Sequence, residues 1–306
     1  MNQTLPELLF LTDSHGLYFT HAIKNHLLMP FKASVCKVNG ATIAGLKNVD
    51  SFTAALDKYK NFLQNKSRSS LVFIQLGEVD CGILIWLKAE KNNNTIQEEC
   101  FKTVDIYMQF IADLEAMGFN NIVVTSATLP TINDEDHIGE IISLRRKKVQ
   151  ATYRQRTDLT LFFNQNLEEN CQKNSIEYID ATDSFLDKKT MSCDSKFRNK
   201  RIEDHHMEYS QACIVWANSI RSYIIKKYNL HYPSVKKIAV FDTYIKKLNK
   251  NSKTLDSDML FKIKKTDVVN FEISDVIGQS LILEKVSVND IELDSSFRFA
   301  RISHFF

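Results

Sequence analysis

The sequence predicts an α/β protein built on a parallel sheet, followed by a small β-rich module. Through roughly the first two hundred residues, short apolar runs alternate with longer amphipathic stretches, the pattern of successive right-handed βαβ units. After Pro233 the pattern changes to short β-rich segments separated by polar turns. A chain of 306 residues with 44% hydrophobic and 10% aromatic content has enough apolar surface for a large core plus a smaller unit. The expected organisation is therefore a domain over 1–233 and a module over 234–306.

Each element has its own signal. LLFLT (8–12) is a short buried strand that runs into Asp13-Ser14-His15-Gly16, and 17–28 reads as a helix. ASVCKV (33–38) is the second strand, ended by Asn39-Gly40. A helix is expected over 50–64, with Phe52, Leu56, Tyr59, Phe62 and Leu63 on one face. LVFIQL (71–76) is the third strand, closed by Gly77. Residues 96–117 form a long amphipathic helix stopped by Gly118, and NIVVTSA (121–127) is the fourth strand. Residues 138–172 read as a helix, 176–179 as a fifth strand and 208–228 as a closing helix. In the module, KIAVF, MLFKIKK, VVNFEIS, SLILEKVSV and FRFARISHFF are the strand candidates.

Composition also excludes function classes. A net charge of +2 makes no case for nucleic acid. No apolar run reaches the ~18 residues of a membrane span, and the N-terminus lacks the basic region and cleavage site of a secretory signal. Six scattered cysteines (36, 81, 100, 171, 193 and 213) with no CxxC pair read as reduced thiols of a cytoplasmic protein. No cofactor is expected and no metal is required.

In open α/β sheets, ligands sit at the carboxyl ends of the strands. Polar clusters fall there three times: Asp13-Ser14-His15, Asn39-Gly40 through Gly45, and Gly77-Glu78-Val79-Asp80. A fourth, Glu203-Asp204-His205-His206, precedes the last helix. A serine at a strand-to-helix turn has an exposed hydroxyl and a free amide, and a histidine backed by a carboxylate takes its proton. The bland readings stand beside this: Ser14 as a helix cap, His205 and His206 as solvated loop residues or a surface metal site, Glu78 and Asp80 as hydrogen-bonding groups of their loop in preference to a metal pair. The basic stretch Arg145, Arg146, Lys147, Lys148, Arg154 and Arg156 reads as a solvated helix face or a clamp for an anionic group. Trp86 reads as a packing residue or a platform for a sugar ring.

These four clusters resemble the conserved blocks of the SGNH (GDSL-like) hydrolase superfamily, over roughly residues 7–230. FLTDSHG looks like the first block, whose serine is the nucleophile, with Thr12 in place of the usual glycine. VNGATIAGL is similar to the second, whose glycine supplies an oxyanion amide. IQLGEVD takes the place of Gly-x-Asn-Asp, with Val79 standing where the oxyanion asparagine belongs. EDHHM resembles Asp-x-x-His, with Glu203 at the standard spacing and Asp204 of the standard residue type.

The resemblance implies a three-layer α/β/α fold, flavodoxin-like in its layering, and acyl-ester chemistry: an O-acyl, in particular O-acetyl, esterase or an acyltransferase acting on a carbohydrate, as in bacterial polysaccharide metabolism. Its implied catalytic set is Ser14 as nucleophile, His206 as base and Asp204 or Glu203 as its orienting acid. The amides of Ser14 and of Gly40 or Gly45 would hold the oxyanion, with Asn39 as the candidate replacement for the missing asparagine. Glu78, Asp80, Trp86 and Arg156 are the expected substrate contacts. A second class stays open, a catalytically degenerate fold that binds carbohydrate or serves in assembly, favoured by Val79. The partner expected is a carbohydrate or other acyl-ester substrate, with homo-oligomerisation left open.

Overall fold

The computed structural model describes residues 5–25, 27–28, 31–48, 50–134, 149–201 and 204–228, together with the backbone of four C-terminal strands. Two compact units are distinguished, residues 1–219 and 220–306.

The first unit is built on a five-stranded, wholly parallel sheet in the order β2-β1-β3-β4-β5. The strands are β1 (Leu8–Thr12), β2 (Ala33–Lys37), β3 (Leu71–Gln75), β4 (Ile122–Thr125) and β5 (Glu177–Ile179). All five strands expected in this part of the chain are present. β1, β3 and β4 are buried along their whole length, as strands covered on both faces must be. Their side chains alternate between two layers. Leu9, Leu11, Val72, Ile74 and Val124 join one cluster with Tyr59, Tyr107, Phe110, Phe163 and Leu167. These come from α3 (Ala55–Gln64), α5 (Ile96–Ala116) and α6 (Tyr153–Lys173). On the opposite face Phe10 stacks on Phe73 and on Phe19 of α1 (Leu17–Lys24). Trp216 packs there against Tyr18, Phe19 and Phe185. The sheet is thus flanked by helices on both sides.

Helix boundaries follow local chemistry. Thr95 and Glu98 make a reciprocal capping box that starts α5, and Thr152 and Gln155 do the same for α6. The helix expected from residue 50 begins only at Ala55, because Ala54 sits in the left-handed region with φ 46°. Phe52 consequently lies outside the helix and is fully exposed, whereas Tyr59 and Leu63 are buried as expected. Of the helix expected over 138–172, residues 153–173 are observed and 135–148 lie outside the described residues. Unanticipated elements are α2 (Ile43–Leu46), a π-type turn at Asp80–Leu84, α4 (Ile85–Asn92), α7 (Thr182–Phe185) and the hairpin β6 (Leu186–Asp187)–β7 (Ser192–Cys193). The closing helix is α8 (Tyr209–Tyr228).

In the second unit, β8 (Val269–Ser274) pairs antiparallel with β9 (Ser280–Val286), and β10 (Ile291–Leu293) with β11 (Ala300–Ile302). These fall in VVNFEIS, SLILEKVSV and FRFARISHFF, plus an unanticipated strand at 291–293. KIAVF, MLFKIKK and the boundary expected at 233 lie outside the described residues.

Strand order fixes where a crevice can form. The chain runs from β1 outward to β2 and then returns to β3 on β1's other side, so the strand order reverses at β1. Thr12 pairs with Lys37 and Gln75, so the three strands end level. Gly77 follows β3 with φ +126°, and a Cβ there would sit 2.9 Å from Phe163 Cε1 and 3.0 Å from Ala127 Cβ. Both neighbours are buried. Gly77→Ala therefore combines backbone strain with overpacking. It should lower unfolding free energy by about 1–3 kcal/mol, measured by urea denaturation; an unchanged midpoint would contradict this placement.

Candidate active site

The nucleophile candidate is placed by a tight turn. β1 ends at Thr12, Asp13 caps a single 3-10 turn over Ser14–Gly16 by accepting the His15 amide at 2.8 Å, and α1 follows at once. Gly16 is required: a Cβ on it would fall 1.9 Å from Thr12 Oγ1 and 2.5 Å from Thr12 Cβ. Thr12 occupies the space that Gly16 leaves open. Ser14 is half-buried at the start of this turn, whereas Thr12, Asp13 and His15 are buried.

The loop after β3 supplies two buried carboxylates. Asp80 accepts the amides of Ile43 and Ala44 at 2.8 and 3.3 Å, so it ties this loop to the N-terminus of α2. Burial pushes its carboxyl pKa up to about 6, opposed by those two N–H donors. Asp80 is 1% exposed with both oxygens engaged, so in place of the expected substrate contact it holds the loop that leads into α2. Glu78 is turned toward His15, its Oε2 3.7 Å from His15 Nε2, while Asp13 Oδ1 lies 3.4 Å from His15 Nδ1. Burial alone pushes the imidazole pKa down, but the Glu78 and Asp13 charges outweigh it and carry His15 up to about 9.

The second histidine arrives from the far end of the domain. Asp204 accepts the backbone N–H of His206 at 3.0 Å, its Nδ1–H at 2.6 Å and an Asn199 amide N–H at 2.9 Å. These bonds hold the Asp204 carboxyl below the usual range against the effect of burial. Thr131 donates to the His205 carbonyl at 2.7 Å and Arg198 to the Thr131 carbonyl at 2.8 Å, which anchors this loop beyond the end of β4. The His206 ring centroid is 4.7 Å from that of His15, and its Nε2 is buried with no hydrogen-bond partner among the described residues. Burial and the His15 charge lower the His206 pKa despite Asp204. Glu203 lies outside the described residues.

The other expected site residues divide. Gly40, φ +71°, is exposed in the turn after β2. The Gly45 amide is spent on Thr42 Oγ1 at 3.0 Å, which removes it as an oxyanion donor. Asn39 is exposed and its carbonyl accepts Lys37 Nζ at 3.0 Å, so it is not turned into the crevice as expected. Trp86 packs against the core and donates its indole N–H to the Cys81 carbonyl. Arg156 is 5% exposed and holds the Ile132 carbonyl and Asp134, a structural placement in contrast to the expected substrate contact. The residue that sequence reasoning passed over is His15. Its only local signal is an ionisable side chain directly after the serine; the carboxylate opposite it comes from another strand.

No protein-family model matches the sequence, and no curated protein matches it. Solved structures do share its fold. A Bacteroides fragilis protein provisionally described as an acylhydrolase superposes with a TM-score of 0.50 at 14% identity, covering 74% of this chain and 89% of its own. A GDSL-like lipase from Bacteroides thetaiotaomicron gives 0.48 at 14% identity, over 74% and 93%. A carbohydrate acetylesterase family member from Sinorhizobium meliloti gives 0.47 at 12%, over 74% and 100%. The structural neighbours include SGNH and GDSL-like hydrolases, and the likeness to the Bacteroides fragilis protein shows the fold alone.

The Asp204 contact generates a direct comparison. With Nδ1–H held by Asp204, Nε2 is left as the basic nitrogen. Asp204→Asn removes that tautomer preference and should lower ester turnover by on the order of a hundredfold or more, while Glu203→Gln should cost less than threefold. Steady-state kinetics with p-nitrophenyl acetate decide it; the reverse ranking would assign the orienting role to Glu203.

Proposed function

We propose that this chain carries out serine-dependent acyl-ester chemistry, hydrolysing an O-acyl ester or transferring the acyl group to a carbohydrate hydroxyl. The supporting observation is the His206 imidazole, paired through Nδ1 with Asp204 and presenting an unpartnered Nε2 beside the turn that begins at Ser14. In this reading Ser14 Oγ attacks the acyl carbonyl and His206 Nε2 takes the hydroxyl proton. The same nitrogen returns it to the leaving alcohol. Asp204 keeps the imidazole in its working tautomer and stabilises the cation that forms. The amides of Ser14 and Gly40 are the proposed oxyanion donors, and neither makes a hydrogen bond among those described.

The acetyl group and the carbohydrate acceptor are the finer part of the proposal and rest on the block resemblance alone. A cytoplasmic setting belongs to the same part. Among the described residues no helix is long and apolar enough to cross a membrane.

Val79 favours a second reading, a binding or assembly protein that has lost catalysis. The site then lacks a side-chain oxyanion donor, worth about 2.7–4 kcal/mol of transition-state stabilisation. A fluorophosphonate probe separates the two. The enzyme reading expects stoichiometric labelling of Ser14, abolished in Ser14→Ala along with p-nitrophenyl acetate turnover, with an unchanged Tm. A folded wild-type chain that neither labels nor turns over would leave the binding reading in its place.

A further inference from the structure

Three imidazoles meet at the mouth of this crevice, and the proposed acyl chemistry uses only one of them. One ring nitrogen from each of His15, His205 and His206 lies within 4.8 Å of the others. The ring centroids are 4.0 Å apart for His205–His206, 4.7 Å for His15–His206 and 5.3 Å for His15–His205. His15 is 2% exposed, and neither of its ring nitrogens has a hydrogen-bond partner among the described residues. The buried Nε2 of His206 is equally unpartnered. Buried polar nitrogens are rarely left unsatisfied, and two of the three histidines in this cluster carry them.

The surroundings complement a cation. Asp204 holds His206 through Nδ1, and Asp13 lies 3.4 Å from His15 Nδ1. For His206 the carboxylate takes one ring nitrogen and leaves the other for a ligand, the second-sphere arrangement that orients metal-bound histidines. Glu78 Oε2, 3.7 Å from His15 Nε2, adds negative charge beside the same point. Nitrogens bound to zinc at about 2.0–2.1 Å in a tetrahedron stand roughly 3.4 Å apart. Contraction from the observed spacing moves each ring by less than about 1 Å. Neutral imidazole donors select borderline ions such as Zn²⁺, Co²⁺, Ni²⁺ or Cu²⁺ over Mg²⁺ or Ca²⁺.

We propose that His15, His205 and His206 form a binding site for a divalent transition-metal ion, and that the ion occupies the His206 lone pair on which acyl chemistry depends. Metal-bound and catalytically competent forms are then mutually exclusive. The second half of this statement rests on the proposed role of His206, whereas the first does not.

The test uses the full chain, stripped with a chelator. Zn²⁺ is titrated by calorimetry, and Co²⁺ is followed by its visible d–d absorption, which is intense only in tetrahedral sites. One ion per chain is expected, with affinity reduced at least tenfold in His205→Gln and in His15→Gln; circular dichroism checks that each variant is folded. His205→Gln, in the more accessible loop, keeps the test open should His15→Gln fail to fold. Turnover of p-nitrophenyl acetate should fall in step with zinc occupancy and return with chelator. Wild-type binding no tighter than that of folded His205→Gln overturns the site. Full occupancy with unchanged or increased turnover overturns the exclusion. A chain that binds zinc but never reacts at Ser14 defeats the acyl reading while supporting the metal site.

Discussion

The placement of His15 between two carboxylates is the interaction on which the crevice depends. Asp13 comes from the end of β1 and Glu78 from the end of β3, and both are almost inaccessible to water. A buried carboxylate is costly unless it is paired. The shared imidazole offsets part of that cost while the two loops stay in register. Level strand ends make this possible, since Thr12 lies opposite Gln75. Asp80 extends the constraint to a third loop through the amides of α2. Ser14 thus sits on a turn whose flanking residues are fixed by packing, by Gly16 beneath Thr12, and by charge.

The His206 segment is held independently. Its bonds run through Thr131, Arg198 and Asn199, on loops that follow β4 and the small hairpin, and its carboxylate partner lies only two residues away. Serine and histidine are therefore placed by separate supports that meet at the carboxyl edge of the sheet, where a doubly wound topology puts its ligands. Burial, together with the charge of the crowded His15, lowers the pKa of His206, the proposed base. The same closeness brings three imidazoles within reach of one metal ion, which would bind His15 with release of its proton.

The fold was legible in the sequence because its strands are continuous apolar runs and α5 is a long amphipathic stretch stopped by Gly118, both local signals. The turn that carries Ser14 was legible for the same reason, as Asp13 accepts the His15 and Gly16 amides within four residues. Elements governed by tertiary context were not. α2 has only four residues and is fixed by Asp80 from another loop; the helix start was displaced to Ala55 by a left-handed Ala54; α4 grows from a π-type turn with no sequence mark. The site shows the same division. Asp204 beside His206 follows from short-range geometry, but the Glu78–His15 pairing, the burial of Asp80 and Arg156, and the occupied Gly45 amide depend on chains brought together by the sheet.

The central claim is that Ser14 forms a covalent bond to the acyl group with His206 as its base. Rapid mixing with p-nitrophenyl acetate, acid quenching and mass spectrometry of the digested chain test it most directly. The account predicts a burst of p-nitrophenolate equivalent to the enzyme present and one acetyl group on the peptide containing Ser14, with no such adduct in a His206→Ala chain. Steady turnover with no burst and no adduct, or acetyl confined to a different residue, would contradict it.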